Sequence, residues 1–239
     1  MIAAVLRAIF FDFNGVLLDD EPIHMEALQR TFADEGVTLE SEEYYDKYVG
    51  VDDQGCLRGV LKKSGREADQ ALLARLAARK ASYYQERIKR DGYSFFPGAV
   101  SLVESATADS MTLAVVSGAL RQEVEDALRN VGIRPLFKAV IAAEDVRRGK
   151  PDPEGYLAAI EELNSRPPLP ERLFHPHEIL AIENTLPGLE AAAGAGLLTL
   201  GVAHTLPRKD LDIADVRVDE LDGVTTDSLQ AWYAETSRS

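Results

Sequence analysis

Val5-Leu6-Arg7-Ala8-Ile9-Phe10-Phe11-Asp12-Phe13-Asn14-Gly15-Val16 is the stretch on which the reading of the fold turns. From Val5 to Phe11 it is short, apolar, and rich in β-branched and aromatic residues. It stops in Asp12-Phe13-Asn14-Gly15, which predicts a buried strand ending in a polar turn rather than a helix. Similar runs recur at 112–116, 138–143, 179–182 and 197–202, and the first three of these close on Ser117-Gly118, Glu144-Asp145 and Glu183-Asn184. Between the runs lie helical patterns at 98–107, 120–131, 152–163 and 188–194, opened by Pro, Gly or polar residues. Strand and helix alternate, so the expected class is α/β: a doubly wound parallel sheet, Rossmann-like, covered on both faces.

The alternation breaks between about residues 20 and 91, where Met25, Leu28 and Phe32, then Leu72, Leu76 and Tyr83, keep helical spacing with no strand between them. The expectation is an inserted all-helical cap over 19–92, with the α/β core formed by 1–18 and 93–239 and the cap poised to close over the end of the first strand. Pro167, Pro168, Pro170 and Pro176 mark 164–177 as an extended surface loop.

Composition narrows the function. The 239 residues carry 26 Lys+Arg against 40 Asp+Glu, a net charge of -14, which disfavours binding to the phosphates of nucleic acid. One cysteine, Cys56, excludes a disulfide framework and a Cys-rich zinc site, fits a reducing compartment, and reads as a small apolar residue of the cap core. There is no apolar run of membrane-spanning length, and the opening MIAAVLRAIFFDF has no basic n-region or cleavage site. These features predict a cytoplasmic protein, monomeric, with no nucleic-acid or membrane partner.

In an open α/β sheet, ligands sit at the carboxyl ends of the strands. Here those ends carry Asp12 and Asn14, Ser117, Asp145, and Glu183 with Asn184, so polar groups are expected to converge on one rim. Other local signals read as structure. Gly149-Lys150 lacks the remaining residues of a P-loop, Gly194-Ala195-Gly196 is a helix end, His175 and His177 belong to the proline-rich surface loop, and 40–43 is a solvated helix start.

Four motifs in order carry a resemblance. They are Phe11-Asp12-Phe13-Asn14-Gly15-Val16 followed by Asp19-Asp20-Glu21-Pro22 and His24; Val115-Val116-Ser117-Gly118; Gly149-Lys150-Pro151-Asp152-Pro153; and Ile182-Glu183-Asn184-Thr185 leading to Gly188. Over nearly its whole length the chain resembles the haloacid-dehalogenase-like (HAD) superfamily of phosphohydrolases, in the helical-cap group near β-phosphoglucomutases and phosphoglycolate-type phosphatases. The resemblance implies a phosphatase that acts on a small phosphorylated metabolite through an aspartyl-phosphate. Asp12 would be the nucleophile, splitting one displacement into two. Ser117 and Lys150 would hold the transferring phosphoryl oxygens. A Mg²⁺ ion would be bound by Asp12, Asn14, Glu183 and Asn184. The resemblance puts Glu21, His24 and Gly118 at the substrate.

The chain departs from that pattern at two places. Asn14 stands where the family's phosphatases carry the Asp that serves as acid and base, and Asn184 stands where a metal-binding Asp is commonest. An amide can ligate through a carbonyl oxygen but exchanges no proton near neutral pH, and losing such a group forfeits about 10²–10⁴-fold in rate. The leading reading is a slow phosphohydrolase, with His24, Asp20 or Glu21 as a substitute proton carrier. Its competitors are a mutase that passes the phosphoryl group to a sugar hydroxyl, an Asp→Asn form made to trap a ligand, a member that binds a phosphometabolite without turnover, and a metal-free 2-haloacid dehalogenase.

Overall fold

The computed structural model describes residues 5–236. The chain divides into two compact units, one running to Leu18 and resuming at Phe95, the other Asp19–Ser94. The return falls after Ser94, where the Asp19 N–H donates to the Ser94 carbonyl at 2.7 Å, rather than after residue 92.

The first unit is built on six parallel strands: β1 (Ala8–Phe11), β2 (Thr112–Val116), β3 (Phe137–Ile141), β4 (Ile179–Glu183), β5 (Leu198–Val202) and β6 (Val216–Val218). They lie in the order β3-β2-β1-β4-β5-β6. β1 is central, with Phe10 opposite Ala114 on one side and Ala181 on the other, and it is fully buried from Ala8 to Phe11. That position explains its unbroken apolar run. The chain builds outward from β1 in both directions, so the rim beyond β1 and β4 is where the strand order reverses and where a ligand crevice is expected. Helices α5 (Ala99–Ala108), α6 (Arg121–Asn130), α7 (Glu154–Ser165), α8 (Leu186–Gly194) and α9 (Thr226–Thr236) cover the sheet. Under α7, Phe10 and Tyr156 stack with ring centroids 6.5 Å apart amid Ala159, Leu163 and Ala192.

Two elements escape the sequence reading. β6 is a three-residue edge strand interrupted by Arg217, and α9 follows it. The proline-rich loop is on the surface but is not loose. The Asn164 amide brackets the Phe174 main chain (2.8 and 3.0 Å), the Arg7 guanidinium donates to the carbonyls of Arg172 and Leu173 (2.9 Å each), and the Phe174 side chain enters the core. His175 and His177 stay exposed.

The second unit is all helical: α1 (Glu21–Ala33), α2 (Ser41–Lys47), α3 (Asp53–Lys63) and α4 (Gln70–Asp91). Asp52 and Asp69 cap α3 and α4, accepting from Gly55 N (2.6 Å) and Leu72 N (2.7 Å). Leu28, Phe32, Leu57, Leu61 and Leu76 form its core with Cys56. Burial pushes the Cys56 thiol up to about 12. Among the described residues, no helix is long and apolar enough to cross a membrane.

Candidate active site

β1 delivers Asp12 to the rim, where its N–H still holds the ladder through Ile182 O (3.0 Å). The chain then turns sharply. Leu17 and Leu18 donate back to Phe13 O at 2.9 Å, Gly15 N donates to Leu18 O at 2.8 Å, and Gly15 takes φ +78°. A side chain at Gly15 would also lie 2.0 Å from Asn184 Nδ2, so glycine is required twice over.

Lys150 reaches this strand end from the loop before α7. Its Nζ lies 2.6 Å from Asp12 Oδ1, 2.6 Å from Glu183 Oε1 and 3.0 Å from Val116 O. An ammonium has three N–H donors, so all three are engaged. The loop is itself anchored by Glu154, which accepts from Arg147 N (2.9 Å) and Arg148 N (3.2 Å). These N–H donors, against slight desolvation, hold the Glu154 carboxyl below its ordinary value. Lys150 opposes burial through its two carboxylate partners and is held above the ordinary lysine value. Asp12 Oδ2, by contrast, has no hydrogen-bond partner among the described residues.

Glu183 is fully buried at the end of β4. Burial, reinforced by the Asp12 charge and offset in part by Lys150, pushes it up to about 7. Tyr156 donates its hydroxyl to Glu183 Oε1, and Oε2 lies against Gly188, where any side chain would collide with it. Asn184 donates from Nδ2 to Thr205 Oγ1 at 2.7 Å. Ser117 accepts from Ala119 N at 3.0 Å and points its hydroxyl at Asn14 Oδ1, 3.5 Å away. It thus braces the turn after β2, while α6 begins later, at Arg121.

The core unit therefore brings Asp12, Asn14, Ser117, Lys150, Glu183 and Asn184 together. Asp145 does not join them: its carboxylate closes the turn after β3, accepting from Ala142 N at 2.8 Å and pairing with Arg121. The expectation that four strand ends converge is corrected to three, because a nearby guanidinium claims the fourth. Gly118 is exposed, and a side chain there would meet nothing within 4 Å. Glu21 and His24 belong to the helical unit. Tyr44 donates to Glu21 at 2.5 Å, and His24 lies between Asp20 Oδ2 (3.0 Å) and Lys80 Nζ (2.6 Å). Asp20 also accepts from Tyr84 at 2.6 Å.

Sequence reasoning missed Tyr156, His204 and Thr205. His204 donates from Nδ1 to Gly15 O at 3.0 Å and stacks on Phe96. Both His204 and Thr205 follow β5, a recognised strand whose end carried no assignment, so the same strand-end rule would have found them. Tyr156 lies on the buried face of α7, where nothing in the sequence separates it from a core aromatic.

The family pattern implies Mg²⁺, and the donor set tests that. Two buried oxygens, Glu183 Oε2 and Asn184 Oδ1, have no hydrogen-bond partner among the described residues. Such groups are costly unless something satisfies them. Asp12 and Glu183 also set two carboxyl groups against the single ammonium of Lys150. Among the described residues, no three His, Cys, Asp or Glu side chains gather at one point, so a cation here would rely on two carboxylates with amide and main-chain oxygens. All-oxygen ligation of this kind fits a hard cation.

A family model described as haloacid dehalogenase-like hydrolase matches residues 6–196, and the chain belongs to that family. It is a hydrolase. It is 27% identical over 203 residues to a phosphorylated carbohydrates phosphatase of Thermotoga maritima, covering 84% of this chain and 87% of that one. A β-phosphoglucomutase from Clostridium difficile superposes with a TM-score of 0.85 at 21% identity, over 98% of this chain and all of its own, a likeness of fold. A variant CbbY from Rhodobacter sphaeroides, solved with xylulose-1,5-bisphosphate, superposes with a TM-score of 0.82 at 25% identity, over 95% of this chain and 100% of its own.

Proposed function

We propose that the chain is a Mg²⁺-dependent phosphatase of small phosphorylated carbohydrates, working through a phosphoryl group carried on Asp12. The observation that carries this reading is the asymmetry of the Asp12 carboxylate: Lys150 fixes Oδ1, and Oδ2 has no protein partner among the described residues. A nucleophile held by one oxygen keeps its orientation while the other oxygen attacks. The names of the Thermotoga phosphatase and the CbbY complex support a phosphorylated sugar as substrate.

In this mechanism Asp12, the Asn14 carbonyl, Glu183 and Asn184 hold the cation, whose contribution is to offset repulsion between an anionic nucleophile and an anionic substrate. Lys150 orients Asp12 and balances the buried carboxylates, and Tyr156 holds Glu183 in place. Ser117 and the main-chain N–H groups after Asp12 bind phosphoryl oxygens. On the core unit, substrate choice falls to the open position at Gly118.

A panel of sugar phosphates assayed with Mg²⁺ and with EDTA tests the proposal. Phosphate release that EDTA abolishes is expected. Metal-independent halide release from 2-haloacids would contradict it. Asn14 favours a second reading, a protein that binds a phosphometabolite without turning it over, for which tight binding with no release across the panel is the signature.

A further inference from the structure

Resting on the reading of Asp12 as nucleophile, we propose that turnover at this site is graded by the leaving oxygen: donors whose leaving oxygen departs without a proton, acyl phosphates first, react fastest, and the alkyl phosphates of ordinary sugars are turned over slowly. The argument is an inventory of protons around Asp12. Lys150 donates to Asp12, Glu183 and Val116 O; Tyr156 donates to Glu183; Ser117 points its hydroxyl at Asn14; and His204 Nδ1 donates to Gly15 O. Each of these protons faces a protein acceptor, and the Ser117 hydroxyl, 3.5 Å from its acceptor, can turn to a phosphoryl oxygen but is an alcohol too weak to give up its proton. Asn14, beside them, offers a carbonyl oxygen that faces the Ser117 hydroxyl and an amide that donates a hydrogen bond without giving up its proton. Among the described residues, the groups of the core unit named here orient and balance charge, and none of them is an acid suited to protonate a departing oxygen.

The consequence depends on the leaving group. As Asp12 Oδ2 bonds to phosphorus, the bond from phosphorus to the leaving oxygen breaks and its electron pair goes with that oxygen. A carboxylate, with a conjugate acid near pKa about 4, leaves as the free anion. A phenolate, near about 10, leaves less readily. An alkoxide, whose conjugate acid is as weak as water and far weaker than a phenol, needs the proton that these groups do not supply. The product of this step is itself an acyl phosphate on Asp12. Water then attacks phosphorus, the bond to Oδ2 breaks and returns its pair to the Asp12 carboxylate, and the water's proton passes to solvent through the released phosphate. Neither departure in the acyl-phosphate cycle calls on an acid.

The test is a leaving-group series of acetyl phosphate, phenyl phosphate and glycerol 3-phosphate, each with Mg²⁺, run on the native chain and on Asn14→Asp. Acyl phosphates are intrinsically more reactive, so the readout is the change in kcat/KM ratio between the two proteins rather than the ratio itself. The acetyl-to-glycerol preference should shrink by about 10²–10⁴-fold in Asn14→Asp, because the gain on glycerol 3-phosphate exceeds whatever change acetyl phosphate shows. An equal preference in both proteins, or no turnover of acetyl phosphate by the native chain, overturns the inference. Undiminished acetyl phosphate turnover in Asp12→Ala would instead overturn the nucleophile assignment on which it rests.

Discussion

Lys150→Met removes the cation that Asp12 and Glu183 share, and the structure gives the size of the effect. The side chains of Lys150, Asp12 and Glu183 are 16%, 11% and 0% exposed, and both ion pairs are 2.6 Å long, so these are buried pairs and not the weak surface kind. Removing one partner of a buried pair costs about 3–5 kcal/mol because the other is left uncompensated. For a unit of this size that corresponds to roughly 6–20 °C in melting temperature. The loss should also depend on pH with a definite sign. Burial already raises Glu183 to about 7 against Lys150's opposition, and without the ammonium the Glu183 carboxyl moves further up. A carboxyl raised in the folded state contributes stability that is complete below its unfolded value and fades as pH rises through the folded value. The deficit of Lys150→Met should therefore be small near pH 4.5 and grow up to and beyond pH 7. The assay is urea unfolding with EDTA present, followed by Trp232, the only tryptophan, which lies in the core unit. A deficit below 1 kcal/mol, or one that stays constant across that range, would refute the reasoning.

Three further outcomes follow from particular contacts. Thr205→Val removes the group that meets the Asn184 amide at 2.7 Å; it should weaken Mn²⁺ binding, measured directly by titration, several-fold without unfolding the protein, and an unchanged affinity would show that the amide needs no such support. Cys56, buried with its thiol pushed up to about 12, should react with a thiol reagent only in denaturant, so fast labelling of the native chain would contradict its placement. Burial raises the Glu178 carboxyl, but Arg172, the His175 N–H and Arg7 more than offset that and hold it below its ordinary value; its contribution is present above the unfolded carboxylate value and lost on acidification. Glu178→Gln should then lower stability at pH 7 and lose its effect in acid, and a deficit that persists in acid would count against that ion-pair cluster.

Much of this was legible from short runs of residues. β1 reads as a central strand because all four of its residues are buried from both sides, which permits no polar interruption. Asp12, Ser117, Glu183 and Asn184 stand out because a strand end is the place where a sheet shows polar side chains to a ligand. What stayed hidden depends on partners distant in sequence. Nothing near Asp145 shows that Arg121, 24 positions earlier, will claim it, and nothing near Tyr156 shows that Glu183, 27 positions later, will receive its hydroxyl. β6 lacks periodicity to read, since three residues at a sheet edge make no pattern. The engagement of every Lys150 donor is likewise a property of three strand ends meeting, and it moves that residue's role toward orienting the nucleophile.

The central claim is the phosphoryl group on Asp12, and the most direct measurement is the mass of the protein, acid-quenched within the first turnover after mixing with acetyl phosphate and Mg²⁺. The account predicts an adduct of one phosphoryl unit that maps to the peptide containing Asp12, is removed by hydroxylamine, and is absent from Asp12→Ala. Phosphate release in the same experiment with no adduct on that peptide, or an adduct that survives in Asp12→Ala, would contradict it.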